Sequence, residues 1–116
     1  MIKRPEILQD WVTLMGEDGD ELAQHTPFCI NVTNANKVVV RWDIRKAEGA
    51  DLYLQTSKIL EKKHWRDTKT LTLSDSVVLT REVGVTTEFI ENFLRWRVAG
   101  SASGWQLTFR IRVYAR

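Results

Sequence analysis

The chain has 116 residues, 43% hydrophobic and 28% charged, with a formal net charge of +2. That length suffices for one domain with a real core but not for two. So small a charge does not by itself indicate nucleic-acid binding, and no apolar run nears the ~20 residues that cross a bilayer as a helix. Cys29 is the only cysteine, which excludes an internal disulfide and fits a reducing compartment. Between Phe28 and Ile30 it reads as a buried thiol, not a nucleophile. Met1 to Glu6 lacks the apolar run of a signal peptide, so synthesis in the cytoplasm without export is expected.

Residues 1–15 are open between a helix, a strand and an arm. Pro5 suits the first position of a helix, with Ile7, Leu8, Trp11 and Met15 on one face. Trp11-Val12-Thr13-Leu14 reads equally as a strand. Asp18-Gly19 centres a turn within an acidic stretch. From there the pattern is β: Phe28 to Thr33, then Val38, Val40, Trp42 and Ile44 alternating with Val39, Arg41, Asp43 and Arg45. Glu48-Gly49-Ala50 turns, and Leu52 and Leu54 alternate with Tyr53 and Gln55. Ser57 to His64 is polar, with room for one helical turn. A segment from Trp65 leads to Leu71 and Leu73, Asp75-Ser76 turns into Val77-Val78-Leu79, and Val83 to Asn92 is irregular, with a turn of helix after Thr87.

Two runs close the chain, Leu94-Arg95-Trp96-Arg97-Val98 and Leu107-Thr108-Phe109-Arg110-Ile111-Arg112-Val113. Strand side chains alternate between faces. Leu94, Trp96, Val98, Leu107, Phe109, Ile111 and Val113 therefore point inward, and Arg95, Arg97, Arg110 and Arg112 outward. The turn-rich Ala99–Gly104 joins them as a hairpin would. The expectation is one guanidinium-studded face, a surface for a carboxylate or phosphate partner. The alternative is a solvated face that guards against sheet-to-sheet aggregation. Phe93 to Arg116 holds five arginines and no acid, while Met1 to Ile30 holds six acids, so one end can meet the other within a molecule or between copies.

Seven or eight short strands at this spacing indicate an all-β, single-domain antiparallel β-sandwich of jelly-roll type over residues 1–116, with a short N-terminal arm or helix as one option. Trp42 and Trp96 belong to its core, Trp105 to core or rim, and Trp65 to a plug at one end. Glu17, Asp18, Asp20 and Glu21 match no twelve-residue calcium loop and read as an acidic turn. His25, Cys29 and His64 do not make a zinc set. Ser57, His64 and Asp67 share one local segment with no reason to converge as a triad. No catalytic motif is present, so neither an enzyme nor a cofactor is expected.

The stretch "DLYLQTSKILEKKHW", then "FLRWRVAG" and "WQLTFRIRVYAR", resembles small β-sandwich proteins of phage and prophage-like structural gene clusters. The likeness spans residues 51–116, although the loop holding Lys58, Lys62 and Lys63 is longer and more basic here. It implies a head decoration, head-closure or tail accessory subunit of a virion, docked on a protein lattice or on itself, homo-oligomeric or particle-bound, with no membrane and no nucleic acid as partner. The strand, loop and Trp order is also similar to discoidin-like and other jelly-roll carbohydrate-binding modules. Those are usually exported or attached to an enzyme. A nucleic-acid or anion binder is the third reading.

Overall fold

A computed structural model describes residues 6–33, 35, 37–60, 64–71, 79–85 and 92–115. The described strands are β1 (Glu6–Gly16), β2 (Glu21–Ala23), β3 (Ile30–Asn31), β4 (Val38–Glu48), β5 (Ala50–Ser57), β6 (Arg66–Leu71), β7 (Leu79–Val85), β8 (Phe93–Gly100) and β9 (Trp105–Ala115). They form two antiparallel sheets packed as a sandwich. Sheet A has the order β1-β9-β4-β7. Sheet B runs β2-β8-β5-β6, with β3 also paired to β8.

The N-terminal segment adopts the strand option. Glu6–Gly16 is an edge strand on β9, with register breaks between Ile7 and Val12, rather than an arm or helix. Leu8, Val12 and Leu14 share one parity and pack on the core, and Trp11 and Thr13 take the other. The expected strand over Phe28 to Thr33 shrinks to Ile30–Asn31 behind a 3-10 turn, Thr26–Phe28. Leu73, Val77, Val78 and the expected helical turn after Thr87 lie outside the described residues.

The expected β8–β9 hairpin is not formed. β8 pairs with β5 in sheet B, and β9 pairs with β4 and β1 in sheet A. The connection crosses between sheets instead of turning within one. Alternation cannot reveal this, because strands on opposing sheets and strands side by side both put every second residue into the same core. β4 and β5 cross at Gly49, which adopts φ 64°. The two crossings touch: Ser101 N donates to Gly49 O at 2.7 Å. Trp105 anchors this end. Its indole donates to Glu17 O at 2.9 Å, and it packs so tightly on Gly16 and Gly100 that a Cβ at Gly100 would lie 2.1 Å from its Nε1.

The core lies between the sheets. Val40, Trp42 and Ile44 of β4 and Leu107, Phe109 and Ile111 of β9 face Leu52, Leu54, Leu94, Trp96 and Val98 of sheet B. Each large side chain buried there contributes about 1.5–3 kcal/mol. Trp96 meets Phe109 edge to face at 5.4 Å across the interior. Trp42, Trp96 and Trp105 are thus core residues, as their strand phase indicates.

Candidate functional site

The four outward arginines do not share a face. Arg110 and Arg112 stand on the outside of sheet A, and Arg95 and Arg97 on the outside of sheet B. The single guanidinium surface expected from the sequence is therefore two surfaces on opposite sides of the sandwich.

On sheet A, register sets Asp43 of β4 opposite Arg110 and Arg41 opposite Arg112. Asp43 sits on the polar phase of its strand, yet its side chain is only 6% exposed. Guanidinium groups cover it. Arg110 donates to Asp43 Oδ2 from Nε at 3.0 Å and from a terminal nitrogen at 2.8 Å, and Arg112 donates to the same oxygen at 2.9 Å. Arg41 Nε lies 3.5 Å from Oδ1. A buried carboxylate must be paired, and here one acid holds three bases. Trp11, on the outward parity of β1, carries Arg45 at 4.2 Å and Arg110 at 4.9 Å from its ring centre. A register break between Ile44 and Lys46 accompanies Arg45 onto this face. Three arginines thus surround Asp43, Arg45 joins this face through Trp11, and Glu82 of β7 stands opposite Arg41 by register. Arg112 Nε is buried and makes no hydrogen bond.

Sheet B is arranged differently. Arg97 is held by Asp67, at 3.3 Å from Nε and 3.0 Å from a terminal nitrogen, and by Glu21, and lies 3.9 Å over Tyr53. Burial alone would weaken its protonation. The hydrogen bond that Arg97 donates to Asp67 and the charges of Asp67 and Glu21 outweigh it, so the Arg97 pKa is raised. Arg95 is only 9% exposed. Its Nε donates to Gln55 Oε1 at 2.8 Å, and its guanidinium lies 4.5 Å over Trp65. Burial is the main influence and lowers its pKa; the nearby Cys29 opposes the shift, and repulsion from Arg97 adds to it. Trp65 therefore covers an arginine on the outer face and does not plug an end of the sandwich.

The acidic stretch is spent inside the molecule. Glu17 accepts from Ser103 Oγ at 2.6 Å and Gly104 N at 3.3 Å, Asp20 accepts from Glu17 N at 2.8 Å, and Glu21 meets Arg97. Acidic and basic ends do meet, but within one chain. Among the described residues no group of three or more His, Cys, Asp or Glu could hold a metal. Sequence reading missed Asp43 and Trp11 as members of a site. An acid flanked at two-residue spacing by Arg41 and Arg45 was the available signal for the first. For the second, the signal was its parity, opposite to that of Leu8, Val12 and Leu14.

No family model matches the chain, and no curated protein does. Among solved structures, a chain of the Bacillus endospore appendages, which form a family of disulfide-linked pili, is similar, with TM-score 0.51 and 8% identity over 97% of this chain and 90% of that one. A carbohydrate-binding module of Cellvibrio mixtus lichenase 5A, solved with cellotriose, is similar with TM-score 0.53 and 13% identity over the same shares. At such identities the likeness is one of fold.

Proposed function

We propose that this chain is a non-enzymatic docking subunit of a larger protein assembly, and that the outer face of sheet A meets acidic surface on its neighbour. Within that reading it is a head decoration, head-closure or tail accessory subunit of a phage-type or phage-derived particle, made in the cytoplasm. The observation that carries the docking role is the gathering of guanidinium groups around one buried carboxylate on sheet A. Arg41, Arg110 and Arg112 converge on Asp43, and Arg45 and Arg110 on Trp11. Asp43 and Trp11 hold the bases in a fixed array, so a partner carboxylate meets donors already ordered. Many modest contacts of this kind add up on a repeating lattice. The use of a similar sandwich in the pilus-like spore appendage fits this reading.

The carbohydrate-binding alternative has less support. A sugar platform needs an open aromatic face, but Trp11, Tyr53 and Trp65 each carry a guanidinium on the ring. The same arrangement counts against stacked single-stranded nucleic acid. The test is native mass by light scattering across a salt series, with wild type beside R110S/R112S. Docking between copies predicts an assembly that dissociates as salt rises and is lost in the double variant. A monomer at every salt concentration would remove self-assembly and leave a different protein as the partner.

A further inference from the structure

We propose that the Arg95–Trp65 stack on sheet B is a recognition site for a single carboxylate, supplied by an acidic side chain of a protein partner with apolar residues beside it. The argument starts from hydrogen-bond accounting. Buried donors in folded proteins have acceptors, and each exception calls for a cause. Arg95 is nine-tenths buried, yet the one hydrogen bond it makes is from Nε to the neutral amide oxygen of Gln55. The nearest acid on its face, Asp67, is already occupied by Arg97 and by the Gln55 amide nitrogen at 3.0 Å. No described residue supplies Arg95 with a carboxylate.

Trp65 makes the same demand. Its indole Nε1 is buried and has no hydrogen-bond partner. The Arg95 guanidinium lies 4.5 Å from the centre of the same ring. Stacking on Trp65 and the bond to Gln55 fix the guanidinium plane, which leaves its two terminal nitrogens as a preformed fork. A carboxylate fits that fork with two parallel bonds, and the indole N–H is a further donor nearby.

The surroundings select a protein over a free small acid. Phe28, 69% exposed, lies just before β3, which pairs with β8 at Leu94 and Phe93. Ile59 and Leu60, 44% and 50% exposed, follow β5, whose Ser57 also pairs with Phe93. Exposed apolar side chains thus flank the part of β8 that carries Arg95 from the strands on either side of it. Apolar contacts around one buried charge are the composition of a protein-binding hot spot. This site is on the opposite face from the sheet A array and does not depend on self-assembly.

The experiment is an NMR titration of the full-length 15N-labelled chain, following the Trp65 indole N–H, assigned with W65F. The probes are a capped Leu-Glu-Leu peptide, its Leu-Gln-Leu counterpart, and sodium acetate, all at matched ionic strength. The site predicts a saturable shift with the Glu peptide, about tenfold weaker binding of the Gln peptide, and a similar loss in R95K. Equal binding of the two peptides, no saturation, or an unaffected R95K overturns it. Acetate binding as tightly as the Glu peptide overturns the protein source. If R95K loses the dispersed spectrum of a folded sandwich, the contrast between the two peptides on wild type decides.

Discussion

The two outer faces of the sandwich carry the same sequence element, two arginines at alternate positions of a strand, and treat it in opposite ways. On sheet A one buried acid draws three arginines together, so positive charge is concentrated around it. On sheet B Arg97 receives two acids and Arg95 none. The difference lies in what neighbouring strands bring: β4 sets Asp43 between the bases, whereas β2 and β6 bring Glu21 and Asp67 to one base alone. An alternating arginine pair therefore has no fixed electrostatic meaning. Its partners across the sheet decide whether it is a docking array, a closed ion pair or an unfilled fork.

The sharpest way to break this comparison is to remove the central acid from each face. D43A leaves three guanidiniums facing one another around a buried hole and is expected to cost about 3 kcal/mol. D67A removes a carboxylate that is 40% exposed, and Glu21 still holds Arg97, so its cost is expected at or below about 1 kcal/mol. Urea unfolding of the two variants reads the difference directly. Equal losses would mean that Asp43 does not organise its face.

Next in size is the crossing that separates the two faces. G100A drives a Cβ into the Trp105 indole, where the free approach is 2.1 Å, and is expected to cost about 2 kcal/mol. At Gly104 a Cβ meets nothing within 4 Å, although φ is +67°. G104A therefore carries only backbone strain, about 1 kcal/mol. Thermal or urea denaturation should rank G100A as the more damaging. The reverse order would show that Trp105 does not clamp the crossing.

The sequence made the fold class legible because period-two alternation survives in β4, β5, β8 and β9, where every second residue reaches one core. It could not assign strands to sheets. Leu94 and Leu107 enter the same interior from opposite sides, and nothing in their spacing tells a hairpin from a crossing. The arginines were legible as outward-facing, but their neighbours were not. Asp43 reaches Arg110 across 67 positions and Trp65 reaches Arg95 across 30. Such pairs follow from register, which the turns and register breaks set. Trp11 was hidden for a different reason: Ile7, Leu8, Trp11 and Met15 also fit one face of a helix, which obscured its strand parity.

The smallest expected effect tests the sheet B face through its thiol. Burial is the main influence on Cys29 and raises its pKa. A backbone hydrogen bond and the charge of Arg95 oppose the shift without cancelling it. A raised thiol pKa means the folded chain holds its proton where the unfolded chain has lost it. The associated stability is thus complete below the ordinary thiol pKa, about 8.5, and is lost as pH rises through the folded value. C29S should flatten that alkaline loss in urea unfolding measured from pH 7 to 10. Iodoacetamide should alkylate Cys29 more slowly than a free peptide thiol at pH 8.5, because less thiolate is present. Adding the Glu peptide should slow it further, since a carboxylate on Arg95 screens the one nearby charge that favours the thiolate. Alkylation that the peptide leaves unchanged would separate Cys29 from the Arg95 fork and confine the sheet B comparison to Arg95, Trp65 and Gln55.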